Sequence, residues 1–252
     1  MIDTHCHLAD RKFAEDLDAV LERAREAGVD RMITIGDGME ESRRCVELAE
    51  KHRNVFCAVG VHPHNTKQWK EGDLHSLRLM AEGSKKVRAI GEIGLDYHYD
   101  FSPREVQKRV FEDQLKLAKE INISSVVHNR ESIGDLRDII GRVAPQKLVL
   151  HCCTEEWKDV EPLVRQGYFL SFTGIATYPS AGNIRETIRL CPLERMMVET
   201  DAPYLAPGPF RGQRNEPAYV TEVATLIAEI KGVSPEEVER ITTKNAEEFF
   251  GL

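Results

Sequence analysis

The chain has 252 residues, 41% of them hydrophobic and 30% charged, a length and balance that allow one full-sized α/β core. Thirty-four Lys and Arg against 42 Asp and Glu leave a formal charge of −8; this excludes the broad basic footprint of a general nucleic-acid binder, so any anionic substrate has to be held locally. No run of about 18 apolar residues occurs and the start lacks the basic-then-apolar pattern of a signal peptide, so the expectation is a soluble cytoplasmic protein with no membrane attachment.

The first strand-like run, 2–5, ends on His5, and His7 follows two residues later. Side chains two apart on a strand project the same way, so two imidazoles at this spacing can grip one metal ion, although a polar cap to the strand would look the same. Further runs follow at 31–35, 55–59, 87–91, 124–128, 148–151, 168–172 and 196–199, each separated from the next by a helical pattern. Eight strands interleaved with helices predict a closed TIM-type (β/α)8 barrel, one domain over 1–252. Potential ligands recur at the C-terminal ends of these runs: Glu92 after 87–91, His128 at the end of 124–128, His151 after 147–150 and Asp201 after 196–200. In such a barrel those ends open onto the face that carries the chemistry, so six scattered residues are expected to converge. Asp201 also reads as a helix N-cap before Ala202-Pro203. Glu92, if buried at the end of an apolar strand, needs a partner, and a metal supplies one.

The helix after the fourth strand has the clearest start, with Ser102 as N-cap, Pro103 at the first helical position and Glu105 three residues after the cap. Ser234-Pro235-Glu236-Glu237 repeats that signal before a C-terminal helix. Two loops rich in polar, aromatic and Pro or Gly residues, 60–65 and 202–217, are placed to set substrate choice. His62 and His64 in the first are candidates to contact a phosphate or to cap the third strand. Arg130 is a candidate phosphate anchor or a rim ion pair. Tyr97, Tyr99 and Tyr204 are candidates to stack on a base or simply to pack. The six cysteines lack the spacing of a small secreted domain, which fits a reducing compartment. Cys6 should point away from His5 and His7, while Cys152 and Cys153 are alternative thiolate ligands for zinc.

Taken in order, Ile2-Asp3-Thr4-His5-Cys6-His7-Leu8, Gly60-Val61-His62-Pro63-His64, Gly91-Glu92-Ile93-Gly94-Leu95-Asp96-Tyr97, Glu199-Thr200-Asp201-Ala202-Pro203-Tyr204-Leu205 and Arg214-Asn215-Glu216-Pro217 resemble the TatD-like metal-dependent deoxyribonucleases among the amidohydrolase-type barrels. The resemblance implies a phosphodiesterase with two divalent ions: His5 and His7 on one, His128 and His151 on the second, Glu92 bridging, and Asp201 completing the first site and handling the proton of the attacking water. Zn²⁺, Mn²⁺ and Mg²⁺ all remain open for this donor set. It also implies DNA as the partner, hydrolysed from the 3′ end of single strands, with catalytic roles for Glu92 and Asp201. The loop after His151 departs from the family, reading Cys152-Cys153-Thr154-Glu155-Glu156 where an aromatic residue and a glycine are usual. Small-molecule amide, ester or lactone hydrolysis at the same metals is the competing reading.

Overall fold

The computed structural model describes residues 1–252. Strands and helices alternate: β1 (Ile2–Cys6), α1 (Leu17–Glu26), β2 (Arg31–Ile35), α2 (Met39–Lys51), β3 (Val55–Val59), α3 (Asp73–Gly83), β4 (Val87–Asp96), α4 (Arg104–Glu120), β5 (Ser124–Arg130), α5 (Ile133–Val143), β6 (Leu148–Leu150), α6 (Trp157–Arg165), β7 (Phe169–Phe172), α7 (Gly182–Leu190), β8 (Met196–Val198), α8 (Val220–Lys231) and α9 (Pro235–Phe250). All eight strands belong to one sheet in chain order, β1 to β8, and the pairings β3–β4, β4–β5, β5–β6 and β7–β8 are parallel. This is the α/β fold of the (β/α)8 barrel, and each of the eight expected runs is a strand. No helix is long and apolar enough to cross a membrane.

Two compact units can be distinguished, Met1–Ile33 with Cys152–Leu252, and Thr34–His151. In the first, β1 is buried along its whole length, and the chain just past β8 pairs with its end: Asp201 N–H donates to the His5 carbonyl at 2.8 Å, and His7 N–H to the Ala202 carbonyl at 2.7 Å. Helix α9 starts as its sequence predicts, with Ser234 accepting from Glu237 N–H and Pro235 opening the helix. The Arg214-Asn215-Glu216-Pro217 segment is structural. Arg214 grips both carboxylate oxygens of Asp16 (2.8 and 2.7 Å) and one of Glu216 (2.8 Å). Its guanidinium also lies 4.7 Å from the Phe13 ring centre, and Arg23 Nε donates to Glu216 at 2.7 Å.

In the second unit β4 continues past the predicted end at 91 to Asp96. Gly91 and Gly94 are points of close approach. A Cβ on Gly94, at φ +139°, would lie 2.0 Å from the His128 carbonyl oxygen, and one on Gly91 would lie 2.7 Å from Val126 Cβ. Glu92 therefore sits within β4 rather than beyond it, where the register of β4 on β5 shifts between Ile90 and Ile93. Helix α4 begins at Arg104, not at Pro103, and Ser102 is not its cap. The Ser102 hydroxyl is occupied by the loop after β3, accepting from Lys67 N–H at 3.0 Å and donating to the His64 carbonyl at 2.9 Å. Two buried amides on α4 clamp the neighbouring loops. Gln114 takes both backbone groups of Val61 (2.8 and 3.0 Å), and Gln107 takes both of Asp96 (2.9 and 3.1 Å).

Candidate metal centre

The first unit gathers His5, His7 and Asp201. His5 Nε2 and His7 Nε2 lie 3.3 Å apart, and Asp201 Oδ1 stands 3.5 Å from the former and 3.3 Å from the latter. Strand alternation brings the two rings to one side, whereas Cys6 between them points to the Ile33 carbonyl, as expected. Asp201 has left-handed backbone (φ 58°), an uncommon conformation for a non-glycine residue and one that clusters at functional sites. It is held there by its bond to His5 and by Tyr204 N–H donating to its carbonyl at 2.9 Å. Behind it, buried Asp3 accepts from Thr200 N–H (2.9 Å) and hydroxyl (2.6 Å); burial pushes the Asp3 carboxyl up to about 8. Buried Glu199 accepts from Cys152 N–H at 2.6 Å.

The second unit gathers His62, Glu92, His128 and His151. One oxygen of Glu92, Oε1, lies 2.8 Å from His151 Nε2, 2.9 Å from His128 Nδ1 and 3.4 Å from His62 Nε2. Burial raises the Glu92 carboxyl, but His151, His62 and His128 outweigh it and hold the group well below the usual carboxylate range. For His62 burial dominates and lowers its pKa to about 4, so the ring is neutral at pH 7. Burial also favours neutral His128, yet Asp96 and Glu92 prevail and raise its pKa. Asp96 is fully buried, with Oδ2 2.9 Å from His64 Nε2 and 3.2 Å from His128 Nε2.

Each cluster presents ring nitrogens and carboxylate oxygens to one another at contact distance and largely out of water. Acceptor atoms crowded this way repel unless a proton or cation sits among them, and mixed imidazole and carboxylate donors are what borderline divalent ions take. The donor sets thus fit divalent metal ions. The Cys152 thiol does not join them. It contacts the Thr173 hydroxyl at 3.3 Å, and burial raises its pKa well above the usual thiol value. Glu156, in the loop that departs from the family, is exposed and pairs with Lys158 at 2.8 Å.

Of the expected substrate contacts, His62 is buried with both ring nitrogens engaged, Nδ1 accepting from His64 N–H at 3.2 Å, so it caps the segment after β3 while facing Glu92. His64 binds Asp96. Arg130 is exposed, with its guanidinium 4.7 Å from the Tyr99 ring centre. Tyr204 is 44% exposed, meets His7 edge-on at 6.0 Å and donates its hydroxyl to Asp10 at 2.9 Å. Tyr97 donates to Asp135 at 2.6 Å. Sequence reasoning missed Asp96, Asp3 and Glu199. Asp96 carries a readable signal, since it lies four residues after Glu92 and therefore on the same strand face.

The model of the TatD-related DNase family matches residues 2–251. The chain belongs to that family. It is 38% identical, over all of this chain and 99% of the relative, to the metal-dependent hydrolase YabD of Bacillus subtilis (strain 168). It is 36% identical over the whole of both chains to a 3′-5′ ssDNA/RNA exonuclease TatD of Erwinia amylovora. Among solved structures it is similar to the TatD homologue YJJV of Escherichia coli K12, with a TM-score of 0.95 and 31% identity over all of this chain and 98% of that one. Family membership makes it a metal-dependent hydrolase of the amidohydrolase superfamily, with buried His and Glu clusters suited to the metal.

Proposed function

We propose that this chain is a metal-dependent deoxyribonuclease that removes nucleotides from the 3′ ends of single-stranded DNA in the cytoplasm, acting as one catalytic domain over 1–252. The observation that carries the reading is the pair of imidazole–carboxylate clusters, in a chain 36% identical along its full length to a relative named as a 3′-5′ exonuclease. His5, His7 and Asp201 would hold one divalent ion and His128 and His151 the other, with Glu92 shared. When bound, such ions supply a lowered pKa for water and positive charge for the phosphate oxygens. Asp201 would receive the proton of the attacking water. His62 stays neutral beside Glu92 and steadies it. The acidic chain offers no long electrostatic track, so a short strand end is the substrate it suits. Six cysteines with no disulfide among them agree with a reducing compartment.

The test is digestion of a 5′-labelled single-stranded oligonucleotide by protein reloaded with Zn²⁺, Mn²⁺ or Mg²⁺. A ladder of products shortened from the 3′ end, abolished by chelator, is the expected result. Hydrolysis of small esters, amides or lactones with no attack on oligonucleotides would refute the nuclease reading.

A further inference from the structure

Two of the largest exposed apolar side chains of this protein stand together. Tyr99 is 47% and Phe101 54% exposed, and their rings stack at 5.3 Å with 19° between planes. Scattered exposed aromatics are ordinary, but a stacked pair beside a candidate active site is not. His64 touches both rings, 4.8 Å from Phe101 and 5.4 Å from Tyr99. Through its Nε2 bond to Asp96, His64 connects the pair to the His128–Glu92 cluster.

The loop is also fixed in place. Asp96 Oδ1 accepts from His98 N–H at 3.0 Å and from Tyr99 N–H at 2.9 Å, and Ser102 anchors the far end to the His64 carbonyl. A platform held at both ends loses little freedom when it binds something, which favours affinity. Arg130 lies over Tyr99 at 4.7 Å, adding a cation at the rim. Flat aromatic surface with a neighbouring guanidinium is the chemistry that binds an unpaired nucleobase and its phosphate without regard to sequence.

We infer that Phe101, backed by the Tyr99 ring stacked against it, forms a stacking platform for a nucleobase next to the scissile phosphate of a single strand, with Arg130 beside it. The inference rests on the nuclease reading and adds a base-binding site to it. Tyr99 and Phe101 are positioning residues: they set how the strand end is held, and so act on KM more than on kcat.

The experiment compares the metal-loaded wild type with Phe101→Ala, Tyr99→Ala and Phe101→Tyr on oligonucleotides that carry either a normal or an abasic nucleotide flanking the scissile phosphate. In the wild type, the abasic substrate should raise KM by about 5- to 160-fold, the range for loss of one base–aromatic stack. Phe101→Ala should raise KM on the normal substrate by a similar factor, leave kcat within about threefold, and lose most of the difference between the two substrates. Phe101→Tyr should restore it. Equal KM for both substrates in the wild type, or an unaffected Ala variant, overturns the platform while 3′ digestion leaves the nuclease reading standing. A wild type that digests no oligonucleotide removes both.

Discussion

Replacing Asp96 with Asn tests whether a residue outside the expected ligand set orients the metal centre. Asp96 is fully buried and divides its work: Oδ1 takes the N–H groups of His98 and Tyr99, and Oδ2 faces His64 at 2.9 Å and His128 at 3.2 Å. An ionised carboxylate only accepts, so it holds a proton of His128 on Nε2; with a cation present, Nδ1 would then be the ring atom free to hold it. Asn keeps the Oδ1 acceptor but places an NH₂ where Oδ2 stood. His128 would then offer Nε2 as acceptor and carry its proton on Nδ1, where it would compete with a bound cation. Loss of such an orienting partner typically weakens metal affinity about 10- to 100-fold, or about 1.4 to 2.7 kcal/mol. Two charge-assisted bonds also go, partly offset by removing a buried charge, for a net destabilisation of about 1–3 kcal/mol and a fall in Tm of roughly 2–10 °C. Calorimetric titration of Zn²⁺ or Mn²⁺ into chelator-stripped protein, with melting curves in chelator, separates the two effects. Unchanged affinity at every site in a folded variant would refute the tautomer argument.

Gly94→Ala should lower stability by about 2–6 kcal/mol, combining left-handed strain with overpacking, because its Cβ would fall 2.0 Å from the His128 carbonyl oxygen; Gly134→Ala, with nothing within 4 Å, should change it by less than about 1 kcal/mol, and thermal melts distinguish them. Burial raises the Glu216 carboxyl, but Arg23 and Arg214 outweigh it and keep it below its usual value of 4.5. Its contribution is therefore present above pH 4.5 and is lost as pH falls through the lower folded value, so Glu216→Gln should flatten the acid limb of the urea-measured stability curve below about pH 5. A variant as steep as wild type there would place the acid sensitivity elsewhere. Asp201→Asn should keep the fold and lower kcat by about 10²-fold or more; near-normal turnover at full metal content would show that Asp201 receives no proton.

The barrel was legible in the sequence because its signals are local and repeat. Runs of β-branched and apolar residues at 31–35 and 55–59 became β2 and β3 with the same bounds, and Ser234-Pro235 opened α9 by chemistry confined to one helical turn. His5 and His7 could be placed on one side of a strand from alternation alone, and the strand-end position of Asp201 followed from the same pattern. What the tertiary structure decided depends on residues far apart in the chain. Nothing local marks Gly94 as special, but the packed His128 carbonyl leaves no room for a side chain there as β4 runs on to Asp96. Ser102 reads as a helix cap until the loop after β3 takes its hydroxyl. Gln107 and Gln114 interrupt an apolar stripe and reveal their purpose only where they meet the backbones of Asp96 and Val61. Periodicity and capping are short-range and so are written in order along the chain; the partners of a buried polar group are set by which strands and loops pack together, and no local pattern records them.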